Sequence, residues 1–294
     1  MIDFDKGDEK LNKFFGSERK TTVVLDNEVY MIKYPDPVRD LRNALSYMNN
    51  QYSAHIGCRI FRACGIEAQE TALGYFTDMN GERKIVVGCK DFTQGGGTLH
   101  EFSKLGSQII TDGAIHTTIE NVKEIIIRSK LIRNKDSILD SFWDMFVIDT
   151  LLANPDRHLD NWGVLERNGD IAFSPVYDCG SSLSALLDDG KMEELLLDPT
   201  GFKNHEYNVT SCYTMNGKRI FYHEIHRAPP HELMVAVKRT VPSIDMDKVC
   251  DIVDSAATMP FARKEYLKKA MTLRYDDILL PALKRSTAHN ATLG

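Results

Sequence analysis

The chain has 294 residues, 43 % hydrophobic and 27 % charged, with a net charge of −6 at pH 7. That length and apolar content can bury a sizeable core, and the acidic balance without a Lys/Arg block argues against nucleic acid as a direct partner. No run approaches the ~18 apolar residues of a membrane-spanning helix, no apolar leader opens the chain, and none of the six cysteines forms a CxxC pair. Free thiols in the reducing cytoplasm are therefore expected, although specialised export would leave the same signature.

In chain order, residues 21–34 (TTVVLDNEVYMIKY) predict two strands around an Asp26-Asn27 turn. Thr, Val and Tyr suit pleated backbone, and the turn pair tolerates positive φ. Pro35 and Pro37 close the second strand. Residues 38–64 predict a helix, with Leu41, Leu45, Met48, Ile56, Ile60 and Phe61 on its buried stripe and Gly65 as its stop. Strand-like runs follow at 70–76 and 84–89. Residues 1–90 thus predict a small β-rich lobe carrying one long helix. Gly95-Gly96-Gly97 loosens the chain near the passage to a mostly helical second lobe, 91–294. Helices are expected there at 116–133, 136–153, 230–240, 245–258 and 261–287, with a hairpin at 161–177.

The chemistry concentrates at 154–180, NPDRHLDNWGVLERNGDIAFSPVYDCG. Pro155 stops the preceding apolar helix, so Asp156 to Asn161 leave a rigid core element on a loop, where catalytic side chains are commonly held. Asn168-Gly169 signals a hairpin turn, and the hairpin is expected to return Asn161 toward Asp178. Any one of these acids alone reads as a turn cap. Together, Asp156, Asn161 at +5 and Asp178 after the hairpin are the polar parts of a phosphotransferase site. One acid orients a hydroxyl, while the amide and second acid hold magnesium. Lys33, between Ile32 and Tyr34 in mid-strand, calls for an anionic partner such as phosphate, unless it lies on an edge strand and reaches water. Gly16-Ser17 stands where a phosphate loop would precede the first strand, but it is neither G-x-G-x-x-G nor a Walker sequence. His223-Glu224-Ile225-His226 and His231-Glu232 lack the spacing of a zinc helix, and no metal is expected there.

Across NPDRHLDNWGVL, YDCGSS, YMIKYP, CGIEAQETALG and VVGCKDFTQGGG the sequence resembles the HipA-like serine/threonine kinases, and within them the short CtkA-type bacterial branch. The resemblance implies an α+β, two-lobed protein-kinase-like fold that uses ATP and Mg²⁺. By that likeness, Asp156 is the catalytic acid, Asn161 and Asp178 hold Mg²⁺, and Lys33 contacts the α- and β-phosphates. Gly16 and Ser17 lie in the phosphate loop, with Ser17 a candidate for autophosphorylation. Backbone groups around Cys89, Lys90, Asp91 and Phe92 meet the adenine. A protein with a Ser/Thr acceptor is the implied substrate, and an antitoxin-like or regulatory protein the implied partner. HipA-like sequences often carry a glutamate in the helix after the lysine strand. Ala54 holds that position here, and its neighbours Asn50, Gln51 and His55 are not acidic. A nucleotide-binding pseudokinase, a small-molecule or lipid kinase, and a metal-dependent phosphodiesterase are the competing readings. Residues 185–294 are expected to supply packing and acceptor surface.

Overall fold

In the computed structural model, which describes residues 1–11, 20–35, 49–110, 115–225, 227 and 229–291, the first ninety residues build one six-stranded sheet. Its strands are β1 (Ile2–Asp3), β2 (Asp8–Lys10), β3 (Lys20–Leu25), β4 (Glu28–Lys33), β5 (Thr71–Thr77) and β6 (Arg83–Lys90), in the order β1-β5-β6-β4-β3-β2. β3 and β4 turn over Asp26 and Asn27 at φ 52° and 64°, the positive angles that a tight two-residue hairpin requires. β4 pairs with β6 on its other edge, so Lys33 sits in an interior strand, against the edge-strand reading. β1 and β2 are too short to show alternation and went unpredicted. Just after β1, fully buried Phe4 packs with Val23, Ile32, Tyr34, Phe76 and Val86.

Helix α1 (Asn50–Ala63) covers this sheet. Of the helix expected over 38–64, residues 38–48 lie outside the described residues, as do Gly16 and Ser17. Next come β7 (Thr98–Glu101), α2 (Phe102–Ile109), α3 (Ile119–Arg128) and α4 (Lys135–Leu152). The hairpin β8 (Gly163–Arg167) and β9 (Asp170–Phe173) follows, turning over Asn168 and Gly169 at φ 54° and 82°. β7, unforeseen in the sequence, pairs with β8. The remainder is α5 (Asp189–Leu197), α6 (Pro199–Tyr207), the hairpin β10 (Thr210–Met215) and β11 (Lys218–Phe221), α7 (His231–Thr240), α8 (Met246–Asp254), α9 (Phe261–Arg274) and α10 (Leu280–Ala291). Asp188 and Asp198 cap α5 and α6 with their side chains. The helix expected over 261–287 is α9 and α10 joined through a π turn, Tyr275–Leu279.

One apolar cluster runs from α1, β5 and β6 through α3 and α4 to α7, α8 and α9. α1 touches β5 and β6 on one side and α4 and α8 on the other, so this helix joins the sheet to the helical body. All six cysteines are free, and no helix among the described residues is long and apolar enough to cross a membrane.

Candidate active site

α4 is the platform. Ala153 ends it in the left-handed region, φ 50°. Asp149 lies in the apolar run FVIDTLLA with its side chain 1 % exposed, a costly position for an unpaired carboxylate. Arg157, equally buried, pairs with it bidentately: Nε to Oδ2 at 2.8 Å and Nη2 to Oδ1 at 3.1 Å. Burial opposes the charge of Arg157, but Asp149 and Cys179 together more than offset it and hold the guanidinium above its ordinary value. The same guanidinium donates from Nη1 to the carbonyls of Asn161 (2.9 Å) and Tyr177, and from Nη2 to Cys179 Sγ at 3.3 Å. One buried cation therefore gathers the core helix, the end of the 156–161 loop and the segment that carries Asp178. Past the β8–β9 ladder, which ends at Phe173, the Ser174 amide still donates to the Gly163 carbonyl at 3.0 Å, the Tyr177 hydroxyl donates to the Asp160 carbonyl at 3.0 Å, and Arg157 ties the Asn161 and Tyr177 carbonyls.

The Asp156 carboxylate is 51 % exposed, and its Oδ2 accepts a hydrogen bond from Ser181 Oγ at 3.2 Å. Asn161 Nδ2 donates to the Asp156 carbonyl at 2.7 Å, which orients the amide and leaves Oδ1 as an acceptor. Asp178 sits at φ 54°, a strained conformation of the kind found at functional sites. Its Oδ1 meets Lys33 Nζ at 2.7 Å. Burial would raise the Asp178 carboxyl, yet the Lys33 ammonium prevails and holds it below the usual carboxylate range.

That ion pair bears on Ala54. Among the described residues, α1 contains no carboxylate and Ala54 is buried in the core, while Asp178 is one acid that pairs with Lys33. Near the start of α1, Asn50 Nδ2 donates to the Tyr34 carbonyl at 3.3 Å. Asn50 Oδ1 and Gln51 Oε1 are buried without a partner among the described residues. About two turns further on, α1 lies directly on the Asp178 segment. A Cβ added to Gly57 would stand 2.7 Å from Cys179 Cβ, and Cys58 donates its S–H to Cys179 Sγ at 3.9 Å. That bond raises the Cys58 thiol and, with Arg157, lowers that of Cys179.

The expected adenine edge lies where β6 ends. Cys89 is buried within β6. The Asp91 amide donates to the Val29 carbonyl at 2.8 Å, and its Oδ1 accepts from Thr93 N (2.9 Å) and Oγ1 (2.6 Å). The Phe92 ring lies 5.9 Å from that of Tyr177, next to Asp178. Asp91 and Phe92 share with Gln69 and Pro175 a cavity of about 120 Å³.

Among the described residues, no group of three or more His, Cys, Asp or Glu is placed to hold a metal; His223 stacks on Tyr207 instead, and His226 lies outside the described residues. The oxygens of Asn161 and Asp178 suit magnesium, which takes few protein ligands and leaves the rest to phosphate and water. Sequence reasoning missed Arg157, Asp149, Gly57 and Cys179. The one signal was Asp149 inside the apolar run FVIDTLLA at the end of α4.

The HipA-like C-terminal domain family matches residues 14–243. The chain is 32 % identical over 287 residues to the serine/threonine-protein kinase CtkA of Helicobacter pylori, a match covering 95 % of this chain and 86 % of that protein. The crystal structure of a Helicobacter pylori proinflammatory kinase CtkA aligns with a TM-score of 0.89 and 30 % identity, over 98 % of both chains. HipA of Shewanella oneidensis, solved with HipB and its operator DNA, aligns with a TM-score of 0.51 at 10 % identity, over 88 % of this chain and 58 % of that one, and shares the fold alone. The chain belongs to the HipA-like family and has the two-lobed α+β fold of a HipA-type serine/threonine kinase.

Proposed function

We propose that this protein transfers the γ-phosphoryl group of ATP, with magnesium, to Ser or Thr hydroxyls of proteins, itself included. The observation that carries this reading is the convergence of Lys33, Asp156, Asn161 and Asp178 around the buried Arg157. Asp156 is exposed and already accepts a hydroxyl, that of Ser181; in the reaction it orients the acceptor hydroxyl and takes its proton. Lys33 reaches the phosphates from β4. Asn161 Oδ1 and the Asp178 carboxylate would hold magnesium, which neutralises phosphate charge as the leaving oxygen develops. Cys89, Asp91 and Phe92 border the adenine, and Gly16 and Ser17 are assigned to the phosphate loop by the family likeness. Little covalent chemistry falls to the protein, so rate comes from positioning and charge. By the likeness to HipA, an antitoxin-like regulatory partner belongs to the same reading.

Purified protein given radiolabelled ATP and magnesium or manganese is expected to label itself or a generic protein. Asp156→Asn should lower that labelling by ~10²–10⁴-fold. No labelling, or labelling indifferent to Asp156→Asn, overturns the proposal. The absence of an acid on α1 favours one alternative, a nucleotide-binding pseudokinase. Tight ATP binding without turnover, unaffected by Asp156→Asn, would select it.

A further inference from the structure

A cavity of about 380 Å³ opens between the β10–β11 hairpin and the start of α7. Its lining is mostly apolar and includes Trp143, Met215, Ile220, Phe221, Pro230 and Leu233. The size is that of small-molecule sites, which pair apolar walls with a few placed polar groups. Trp143 closes the inner wall and is 1 % exposed. At the mouth stand Lys218, Arg219 and Arg227. Glu224 pairs with Arg227 at 3.0 Å, and Glu120 caps the Asn216 amide at 2.7 Å. No described carboxylate pairs with Lys218 or Arg219. The walls are apolar and the lining carries excess positive charge.

We propose that this cavity binds a small apolar carboxylate. The hydrocarbon lies on Met215, Ile220 and Leu233, and the carboxylate meets Lys218 and Arg219. The site adjoins what holds the catalytic loop: Phe221 lines the cavity, and the next residue, Tyr222, donates its hydroxyl to the Asn154 carbonyl at 2.5 Å.

The probe is octanoate, titrated calorimetrically into the full-length chain, with octan-1-ol as the uncharged control. We expect one saturable octanoate site and weaker binding of the alcohol. The Lys218→Gln/Arg219→Gln double variant should weaken octanoate by roughly five- to twentyfold, as expected for two partly exposed charge pairs, and leave the alcohol unchanged. Ile220→Trp, which fills the cavity, should abolish both. The proposal is overturned by no saturable binding, by equal affinity for acid and alcohol, or by indifference to the double variant. An acidic peptide that binds here while octanoate does not would overturn it too, assigning the cavity to a protein partner. None of these readouts involves phosphotransfer, so a failure here leaves the kinase reading standing, and the reverse.

Discussion

Arg157 is the residue on which the site is hung, because its guanidinium touches α4, the Asn161 carbonyl, the Tyr177 carbonyl and Cys179 at once. Arg157→Met should cost about 3–5 kcal/mol in urea unfolding, since it strands the buried Asp149 carboxylate. Adding Asp149→Leu should recover much of that stability, because the unpaired charge is then gone. Phosphotransfer should stay lost in the double variant, as the loop and the Asp178 segment remain unfastened. Recovery of both together would reduce Arg157 to a structural residue. His55, on α1, sets a pH response. Burial, then the nearby Arg59, lowers its imidazole from 6.5 to about 4, with only a backbone hydrogen bond of Thr71 opposing. The folded chain thus resists a proton that the unfolded chain accepts. Stability is full above about 6.5 and falls as pH drops toward 4. His55→Gln should flatten that acid limb by up to about one proton, read from melting temperatures between pH 7 and 4.5. An unchanged limb would show that His55 stays outside the linkage.

At the scale of elements, α1 and the Asp178 segment are in closer contact than a helix with a side chain at position 57 allows. In a helix interior, Gly→Ala ordinarily stabilises by up to ~1 kcal/mol. Gly57→Ala should do the opposite and destabilise by about 1–3 kcal/mol, through overpacking against Cys179. It should also reduce labelling from ATP as Asp178 is displaced. A rise in melting temperature would contradict the contact. The elements legible in the sequence were those with strong local physics. The Asp26-Asn27 and Asn168-Gly169 turns both take positive φ as their residues require, and α4 ends where Pro155 and the apolar run predict. β1, β7, α5 and α6 were not legible. A two-residue strand such as β1 has no period to read, and β7 exists because β8 lies beside it.

For the whole molecule, the shared core and the joining helix α1 put the proposed nucleotide site across two parts of the fold, with Lys33 from the sheet and Asp178 from the helical body. A ligand held by both should stabilise the entire chain. ATP with magnesium at about 100 times its dissociation constant should add ~2.7 kcal/mol, which at about 2–4 °C per kcal/mol raises the melting temperature by roughly 5–10 °C. ATP with EDTA should give a clearly smaller rise, and equal rises would remove the metal from the role given to Asn161 and Asp178. The sequence by itself determined the chemical kit: an acid, an amide and a second acid at loop and hairpin positions, plus a lysine in mid-strand. Turn and helix-stop preferences act over a few residues, and so do the motifs built on them. Only the tertiary structure decided that Asp178 meets Lys33, because that pair spans 145 positions of chain. It also decided that the buried Arg157 ties α4 to the Asn161 and Tyr177 carbonyls, a part no spacing rule records.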